Sequence, residues 1–403
     1  MASDILNKSL QNSPEYMSLV RASTRNDFLY DVSPSPAPNA FTNVRVQSRV
    51  VPAFNRELSF MIPRSGLLQI AYLKIRLSGV LNAGSSFVPG GGIYLINEKV
   101  DLLTKSLVLE RNYTNMIMKR INGLSTENRD AYLSASKSGV SLLVNNNLST
   151  SDEGEIFIPL FFTAFENPNV FIDTRFWENL EIKFKTCVSI DNILTTVGSV
   201  NNPGIVSAEL CCSYRNPIQY AYEKLQNENF SLVAPLSLLW SNQEKETSAQ
   251  IVLANNYQTS KITMKLAVKK LVHSTTLILS KSTALGGDFI SIKHIKLSAQ
   301  GTTLFEADGI ELQVMLSRSY NRFITRVDSS GTNDNIYTIY YGLSDSLIEN
   351  SGAIGFSSIN DPELEVTAVF PEYGTYNLNV YHTFFNIINV NGASGIVMRS
   401  LDK

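Results

Sequence analysis

Residues 69–77 of the chain read QIAYLKIRL, and this stretch decides the fold class. From Ala71 to Leu77 every second residue is apolar, and the residues between them are polar or amphipathic. A period of two is the repeat of a β-strand, because successive side chains point to opposite faces of a sheet. The stretch therefore predicts a strand with one face on a core and the other facing solvent or a neighbour.

Runs of the same kind recur along most of the chain from Phe41 onward. They include residues 44–47, 180–185, 261–268, 336–341 and 363–369, and turns rich in Asn, Ser and Gly separate them. One helix is predicted, from about Ser125, where the sequence STEN has the pattern of a helix start. Many strands without long intervening helices indicate an all-β chain of sandwiches rather than βαβ units.

The length of the chain suggests two such sandwiches. It has 403 residues, enough for two β domains of roughly 180 residues each. The sequences NNPG at 201–204 and RNP at 215–217 bracket the midpoint. Residues 1–40 differ in pattern, with a helix start at Ser13 and a Pro-rich spacer at 32–38. We therefore predict an N-terminal arm at 1–40, a first sandwich at 41–204 and a second at 205–403.

The composition excludes several classes of function. Lys and Arg number 34 against 36 Asp and Glu, so the chain has no overall attraction for nucleic acid, and no sequence-specific binding to it is expected. Three cysteines without a C-x-x-C pair argue against a disulfide framework or a zinc site. The sequence predicts no signal peptide and no membrane span, and hence a protein made and kept inside a cell.

No constellation of residues indicates catalysis. The three histidines, His273, His294 and His382, each lie within a strand-like run, where a core or surface histidine is the expected role. Nucleophile-elbow, zinc-protease and phosphate-loop motifs are absent. Acidic residues cluster at 152–155 and alternate at 361–365, which predicts a solvated face or a subunit contact, with a cation site between subunits as the alternative. We predict no catalytic, cofactor or metal site.

Four segments in collinear order resemble a known family. They are IPLFF at 158–162 with WENLEI at 177–182, QGTTLF at 300–305, IYTIYYGL at 336–343 with NSGAIGFS at 350–357, and YHTFFNII at 381–388 with GASG at 392–395. Together they resemble the double-jelly-roll major capsid proteins of nucleocytoplasmic large DNA viruses and their polinton-like and virophage relatives. The residues that carry the resemblance are Pro159, Leu160, Phe161, Phe162, Gly301, Tyr337, Tyr340, Ser351, Gly352, Phe356, Ser357, Tyr381, Asn386, Gly392 and Gly395.

The resemblance implies both a fold and a function. The fold would be two tandem eight-stranded jelly-roll sandwiches with a short N-terminal arm and few short helices. Three subunits would form a pseudo-hexagonal capsomer, and capsomers would tile an icosahedral virion shell that is assembled inside the host cell. The partners would be two further copies of the chain, neighbouring capsomers, and minor capsid or penton proteins. The arm would lie on the inner side, against neighbours, minor proteins or an internal membrane.

Three other functions fit a β-sandwich. A receptor-binding spike would more often be one sandwich on a fibrous stalk, and a penton or minor capsid protein is typically a single sandwich. A carbohydrate-binding sandwich remains open. An enzyme such as a polysaccharide lyase is disfavoured by the scarcity of histidine. The presence of two similar halves separates the capsomer subunit from the single-sandwich alternatives.

Overall fold

The computed structural model describes residues 39–399 with gaps at 106, 163–164, 166–171, 175–176, 178, 197–199, 218–235, 283–288, 309–310, 312–334, 342–351 and 392–394. The predicted helix start at Ser13 and the Pro-rich spacer lie outside these residues. The described chain is built almost entirely from antiparallel strands.

Twelve strands and two helices are described up to residue 217. The strands are β1 (Asn39–Gln47), β2 (Glu57–Met61), β3 (Leu67–Leu81), β4 (Ser85–Phe87), β5 (Ile96–Thr104), β6 (Leu107–Tyr113), β7 (Ser141–Leu142), β8 (Glu155–Pro159), β9 (Ile172–Asp173), β10 (Leu180–Thr186), β11 (Leu194–Thr196) and β12 (Val200–Pro217). The helices are α1 (Thr114–Asn122) and α2 (Thr126–Ala135), and short 3-10 turns occur at Gly91–Leu95, Asp152–Gly154 and Ile190–Asn192.

The long strands of this half form two four-stranded sheets. One has the order β1-β12-β3-β8 and the other β2-β10-β5-β6, with antiparallel pairing throughout. Numbered one to eight along the chain, the long strands therefore pair as 1-8-3-6 and 2-7-4-5. This is the pairing of a jelly roll, in which a long antiparallel ribbon folds over into two facing sheets.

The second half repeats the pattern. Its strands are β13 (Leu236–Thr247), β14 (Ile251–Leu253), β15 (Gln258–Lys265), β16 (Leu271–Lys281), β17 (Ile292–Ala299), β18 (Thr302–Asp308), β19 (Ile336–Tyr340), β20 (Ile354–Gly355), β21 (Pro362–Phe370), β22 (Gly374–Asn391) and β23 (Gly395–Arg399), with a 3-10 turn at Phe356–Ser358. The sheets are β13-β22-β16-β19 and β15-β21-β17-β18, and β14, β20 and β23 pair at the margins of the first. The long strands again pair as 1-8-3-6 and 2-7-4-5, which confirms the predicted pair of tandem jelly rolls.

The alternation read from residues 69–77 is confirmed in β3. Leu73, Ile75 and Leu77 are fully buried, while Lys74 and Arg76 are half-buried on the other face. In the second sandwich β21 alternates in the same way, with Leu364 and the apolar residues after it in the core. Burying a side chain of this size stabilises a fold by roughly 1.5–3 kcal/mol, so a strand with three or four such residues has its register set by its core face.

The predicted boundary between the sandwiches, at 204/205, falls inside a strand. The chain forms two compact units, one comprising residues 241–387 and the other residues within 25–240 and 388–399. β12 continues through the predicted boundary at 204/205 as the partner of β1 and β3. The NNPG sequence is an irregularity inside this strand, where Asn202 has a positive φ and the register to β3 shifts between Asn201 and Gly204. Such a bulge admits Pro and Gly without ending the strand.

The helix predicted from Ser125 is present as α2, with Ser125 at its N-cap position. The preceding helix α1 was not predicted. It buries Ile117 and Ile121, one turn apart, but this short apolar spacing directly follows a strand and reads equally well as more β-structure. Neither helix in the described part of the chain is long and apolar enough to cross a membrane.

Three inter-strand loops of the first sandwich meet in a small third sheet, β11-β4-β7. Two glycines make this packing possible. A Cβ on Gly91, whose φ is +49°, would lie 2.5 Å from the Ser136 carbonyl oxygen, and a Cβ on Gly154 would lie 2.0 Å from the Leu148 carbonyl oxygen. Backbone approaches of this kind admit no side chain.

Replacing Gly154 by Ala is expected to destabilise the first sandwich by about 1–3 kcal/mol, because the backbone of the 146–154 loop must move to admit the methyl group. The matched control is Gly84→Ala, since nothing lies within 4 Å of a Cβ at that position. Thermal unfolding of the two variants measures the difference. Equal melting temperatures would contradict the close packing described here.

Candidate functional site

The three histidines all lie on strands of the second sandwich. His273 on β16 and His382 on β22 are fully buried. His294 on β17 is half-buried, and its Nε2 lies 3.2 Å from Glu306 Oε1. His382 has the most polar surroundings of the three and lies at the centre of the candidate site.

Four polar side chains form a continuous series around His382. The Tyr341 hydroxyl donates to Thr275 Oγ1 over 3.1 Å, and Thr275 Oγ1 lies 3.0 Å from His382 Nδ1. His382 Nε2 lies 3.4 Å from Glu246 Oε1. Either Thr275 Oγ1 or His382 Nδ1 can be the donor in their contact, depending on the tautomer of the imidazole. We call Tyr341, Thr275, His382 and Glu246 the buried polar chain.

Glu246 joins this chain to a backbone loop. Its carboxylate accepts hydrogen bonds from the amides of Ala267, at 2.9 Å, and Val268, at 2.8 Å, in the connection between β15 and β16. Burial raises the pKa of Glu246, but the close approach of His382 Nε2 and the hydrogen bonds from the two amides outweigh it, so the net pKa lies below its ordinary value. Glu246 therefore remains ionised near neutral pH and ties β13 to that loop.

The order hydroxyl, imidazole, carboxylate is that of a hydrolase triad, but its position argues against catalysis. A triad needs its hydroxyl at the floor of a cleft that admits substrate. Thr275 is 1% exposed and His382 is 0% exposed. A substrate could reach Thr275 Oγ1 only if the core opened, so the arrangement is suited to holding strands and loops in place.

The acidic residues at 152–155 are held by neighbouring polar groups. Glu155 on β8 accepts from Lys74, at 2.6 Å, and Arg76, at 2.9 Å, both on β3. The hydrogen bond from Lys74 is the largest influence on the pKa of Glu155. Burial opposes it and the hydrogen bond from Arg76 adds to it, so that the pKa lies below its ordinary value. Glu153 accepts a hydrogen bond from Asn146. Glu155 thus forms cross-strand ion pairs with Lys74 and Arg76 on the outer face of the sheet.

The acidic residues at 361–365 lie on a charged outer face of the second sandwich. Glu365 pairs with Lys261 at 2.5 Å, and the highly exposed Asp361 lies 3.9 Å from Lys265. In the part of the chain that the structure describes, no group of three or more His, Cys, Asp or Glu side chains could hold a metal ion. These carboxylates have Lys partners, as expected for a solvated face.

The three cysteines are free thiols. Cys211 and Cys212 are neighbours on β12 and therefore point to opposite faces of the sheet. Burial raises the pKa of Cys187 and of Cys212 to about 12, and it raises that of Cys211 as well.

Consequently none of the three thiols is expected to react rapidly with a disulfide reagent at pH 8 in the folded protein, because the thiolate is the reactive form. All three should react within the mixing time in guanidinium chloride. Titration with Ellman's reagent, with and without denaturant, measures both values. Rapid reaction of one or more thiols per native chain would contradict the burial of these strands.

The residues of the first resembling segment lie just after β8. Leu160 and Phe162 are buried and Phe161 is half-buried. The Phe161 ring packs edge-on against Tyr132 of α2, with ring centres 5.7 Å apart, and its carbonyl accepts from Asn112. The segment thus contributes side chains to the core and a contact to α2. Its buried Pro159 is the last residue of β8.

The central resembling segments contribute a turn and part of the second core. Gly301 has a φ of +77° in the turn between β17 and β18, a conformation that favours glycine. Tyr337 is buried, and its hydroxyl accepts from the Ile292 amide at 3.2 Å. Tyr340 packs edge-on against His273, whose Nδ1 lies 3.2 Å from the Gly352 carbonyl oxygen.

The remaining matched residues lie around the 3-10 turn and on the last strands. Phe356 is fully buried and its ring lies 5.9 Å from His382, while Ser357 is exposed. Tyr381 and Asn386 are buried on β22. Gly395 begins β23, and Ser351 and Gly392 lie outside the described residues.

Comparison with solved structures shows the fold. No protein-family model matches the chain, and no curated protein matches it in sequence. The PBCV-1 VP54 protein, fitted as a crystal structure into a cryo-EM reconstruction of the virophage Sputnik, aligns over 91% of this chain and 98% of its own, with a TM-score of 0.71 and 11% identity. The Faustovirus major capsid protein aligns over 96% and 98%, with a TM-score of 0.65 and 10% identity.

The mavirus major capsid protein aligns over 89% of this chain and 90% of its own, with a TM-score of 0.58 and 11% identity. The fold is that of the double-jelly-roll major capsid proteins. The alignments to these three proteins include both sandwiches and cover at least 89% of each chain. The four collinear segments therefore correctly predicted the fold, although sequence identity to each of these proteins is near one residue in nine.

Proposed function

We propose that the chain is the major capsid protein of an icosahedral DNA virus, and that three copies form a pseudo-hexagonal capsomer. One observation carries the proposal: both jelly rolls lie in one chain, and the VP54 and Faustovirus proteins match it over at least nine-tenths of each chain. A spike, penton or minor capsid protein with a single sandwich would not match in this way. The proposed role is structural and the proposed location is the virion shell.

The tandem repeat explains why a trimer suits this role. Each chain supplies two sandwiches with the same strand order, so three chains present six similar units around a threefold axis. A threefold object of this kind can occupy sixfold positions in a lattice, and its closed symmetry buries the same surfaces in every copy. Stable contacts of this kind bury on the order of 1,200 Å² or more.

The surface of the first sandwich is consistent with lateral contacts between subunits. Seven exposed aliphatic side chains occur in its described part: Val50, Val51, Ile70, Leu143, Val144, Val188 and Val206. Val51 and Leu143 are more than two-thirds exposed. In the proposed shell, neighbouring capsomers or minor capsid proteins would cover these side chains.

The N-terminal arm at residues 1–40 remains part of the proposal. It would touch neighbouring capsomers, minor proteins or an internal membrane on the inner side of the shell. Deleting residues 1–35, which precede β1, is expected to leave the melting temperature unchanged and to reduce the yield of assembled particles. Loss of folding on this deletion would contradict the division into arm and sandwich.

Electron microscopy of the purified protein tests the capsomer. Two-dimensional averages should show a hexagonal outline with six similar densities around a central threefold axis. Averages with two densities only, at every protein concentration examined, would contradict the proposal.

A further inference from the structure

An open depression lies at one end of the second sandwich. Asn256 borders it between β14 and β15, Lys281 at the end of β16, and Glu372 and Tyr373 between β21 and β22. Ser282, Gly374 and Thr375 complete the lining. The volume is about 560 Å³, within the range of small-molecule binding sites. We call it the β21–β22 cleft.

One exposed aromatic side chain, Tyr373, lines the cleft, and two more exposed side chains belong to neighbours of lining residues. Large hydrophobic side chains that are exposed in the described part of residues 241–387 number three: Val252 at 76%, Tyr257 at 79% and Tyr373 at 67%. Tyr373 lines the cleft, Tyr257 follows Asn256, and Val252 pairs with Thr375 across the β14–β22 ladder. At this exposure Tyr373 offers a flat apolar face to a ligand, together with a hydroxyl that remains in water.

The polar groups of the cleft are held in place. The Tyr373 amide donates to Asn256 Oδ1 over 2.8 Å, which fixes the side chain of Asn256 and leaves its amide nitrogen as a donor. Lys281 Nζ lies 2.8 Å from Glu372 Oε2. The Glu372 carbonyl accepts from the buried Tyr376 over 2.8 Å, so the loop that carries Tyr373 is anchored to the strand beneath it.

The side chain of Lys281 also packs closely against Gly374, which lines the same cleft. A Cβ on Gly374 would lie 2.8 Å from Lys281 Cε, and the φ of Gly374 is +147°. The lysine stem therefore occupies the space that a side chain would take, and its ammonium group is directed to Glu372. One positive and one negative group neutralise each other here, so the cleft does not select for a charged ligand.

We propose that the β21–β22 cleft binds a neutral pyranose sugar. A pyranose ring has an apolar face of C–H groups that packs on an aromatic ring, and hydroxyls at its edge that pair with amide, carboxylate and ammonium groups. Tyr373 supplies the aromatic surface, and Asn256, Glu372 and Lys281 supply the hydrogen bonds. All the groups of this site belong to one unit of one chain.

Saturation-transfer NMR on the full-length protein tests the site. The probes are maltotriose, mannotriose and lactose, each at millimolar concentration, with 3′-sialyllactose as the charged comparison. At least one neutral sugar is expected to receive saturation from the wild-type protein, and Tyr373→Ala should reduce that signal at least five-fold. Tyr373→Phe should retain most of it, because the aromatic face remains.

The matched control is Tyr132→Ala, which removes an exposed tyrosine from α2 in the other unit and should leave the signal unchanged. Three results would overturn the proposal: no saturation of any neutral sugar, saturation of the sialylated sugar alone, or a signal that Tyr373→Ala does not reduce. The readout does not depend on oligomeric state, so a failed capsomer and a failed sugar site remain distinguishable.

Discussion

Replacing Phe356 by Ala is expected to lower the stability of the second sandwich by about 3–5 kcal/mol, the usual cost of removing a buried aromatic ring. Phe356 is fully buried in the second core, and its ring lies 5.9 Å from both Tyr341 and His382. The variant therefore leaves a cavity next to two members of the buried polar chain. At roughly 2–4 °C per kcal/mol for a domain of this size, the melting temperature should fall by roughly 10 °C.

Differential scanning calorimetry measures this change. The control is Ser357→Ala in the same 3-10 turn, where the side chain is exposed and the expected change is within about 0.5 kcal/mol. If Phe356→Ala shifted the transition no more than Ser357→Ala, Phe356 would not be a core residue and the packing described for this turn would be wrong.

Removing the carboxylate of Glu246 is expected to have the second largest effect, about 3 kcal/mol at pH 7. Glu246→Ala leaves His382 without its charged partner and the amides of Ala267 and Val268 without their acceptor. Breaking one side of a largely buried pair costs more than the pair itself contributes, since the remaining groups stay desolvated. Glu246→Gln keeps an oxygen acceptor but loses the charge, and should fall between Glu246→Ala and the wild type.

The effect should depend on pH in one direction. The pKa of Glu246 is lower in the folded than in the unfolded chain, where it is about 4.3. The stability contributed by ionisation is therefore complete above the unfolded pKa and is lost as pH falls through the folded pKa. Urea unfolding between pH 7 and pH 3 should show a constant gap between wild type and Glu246→Ala down to about pH 5, and a shrinking gap below. A gap that widens on acidification would contradict this assignment.

The sequence predicts the elements of this fold better than the places where they end. Strands such as β3 and β21 are predictable because alternation along one strand is a local signal. The continuation of β12 past residue 204 is not predictable from the sequence, because NNPG resembles a domain break. Only the pairing with β3 shows that the strand continues. The helix α2 has Ser125 at its N-cap position and Glu127 in its first turn, whereas α1 has Tyr113 at its N-cap position and no acidic residue in its first turn.

The polar sites depend on contacts that sequence does not reveal. Thr275 and His382 are 107 positions apart, and Tyr341 and Thr275 are 66 positions apart. A histidine in an apolar strand predicts a satisfied core residue but does not identify its partners. The β21–β22 cleft is equally remote from local patterns, since the strand order of a jelly roll brings Asn256 beside Tyr373. The jelly-roll topology therefore supplies the information that alternation lacks.

In the proposed capsomer, one chain with two jelly rolls is the building unit of a trimer. Size-exclusion chromatography with multi-angle light scattering measures the mass of the native particle directly. We expect a single stable species of about three times 44.7 kDa, unchanged on dilution into the nanomolar range. A monodisperse species of 44.7 kDa at all concentrations would rule out the trimer.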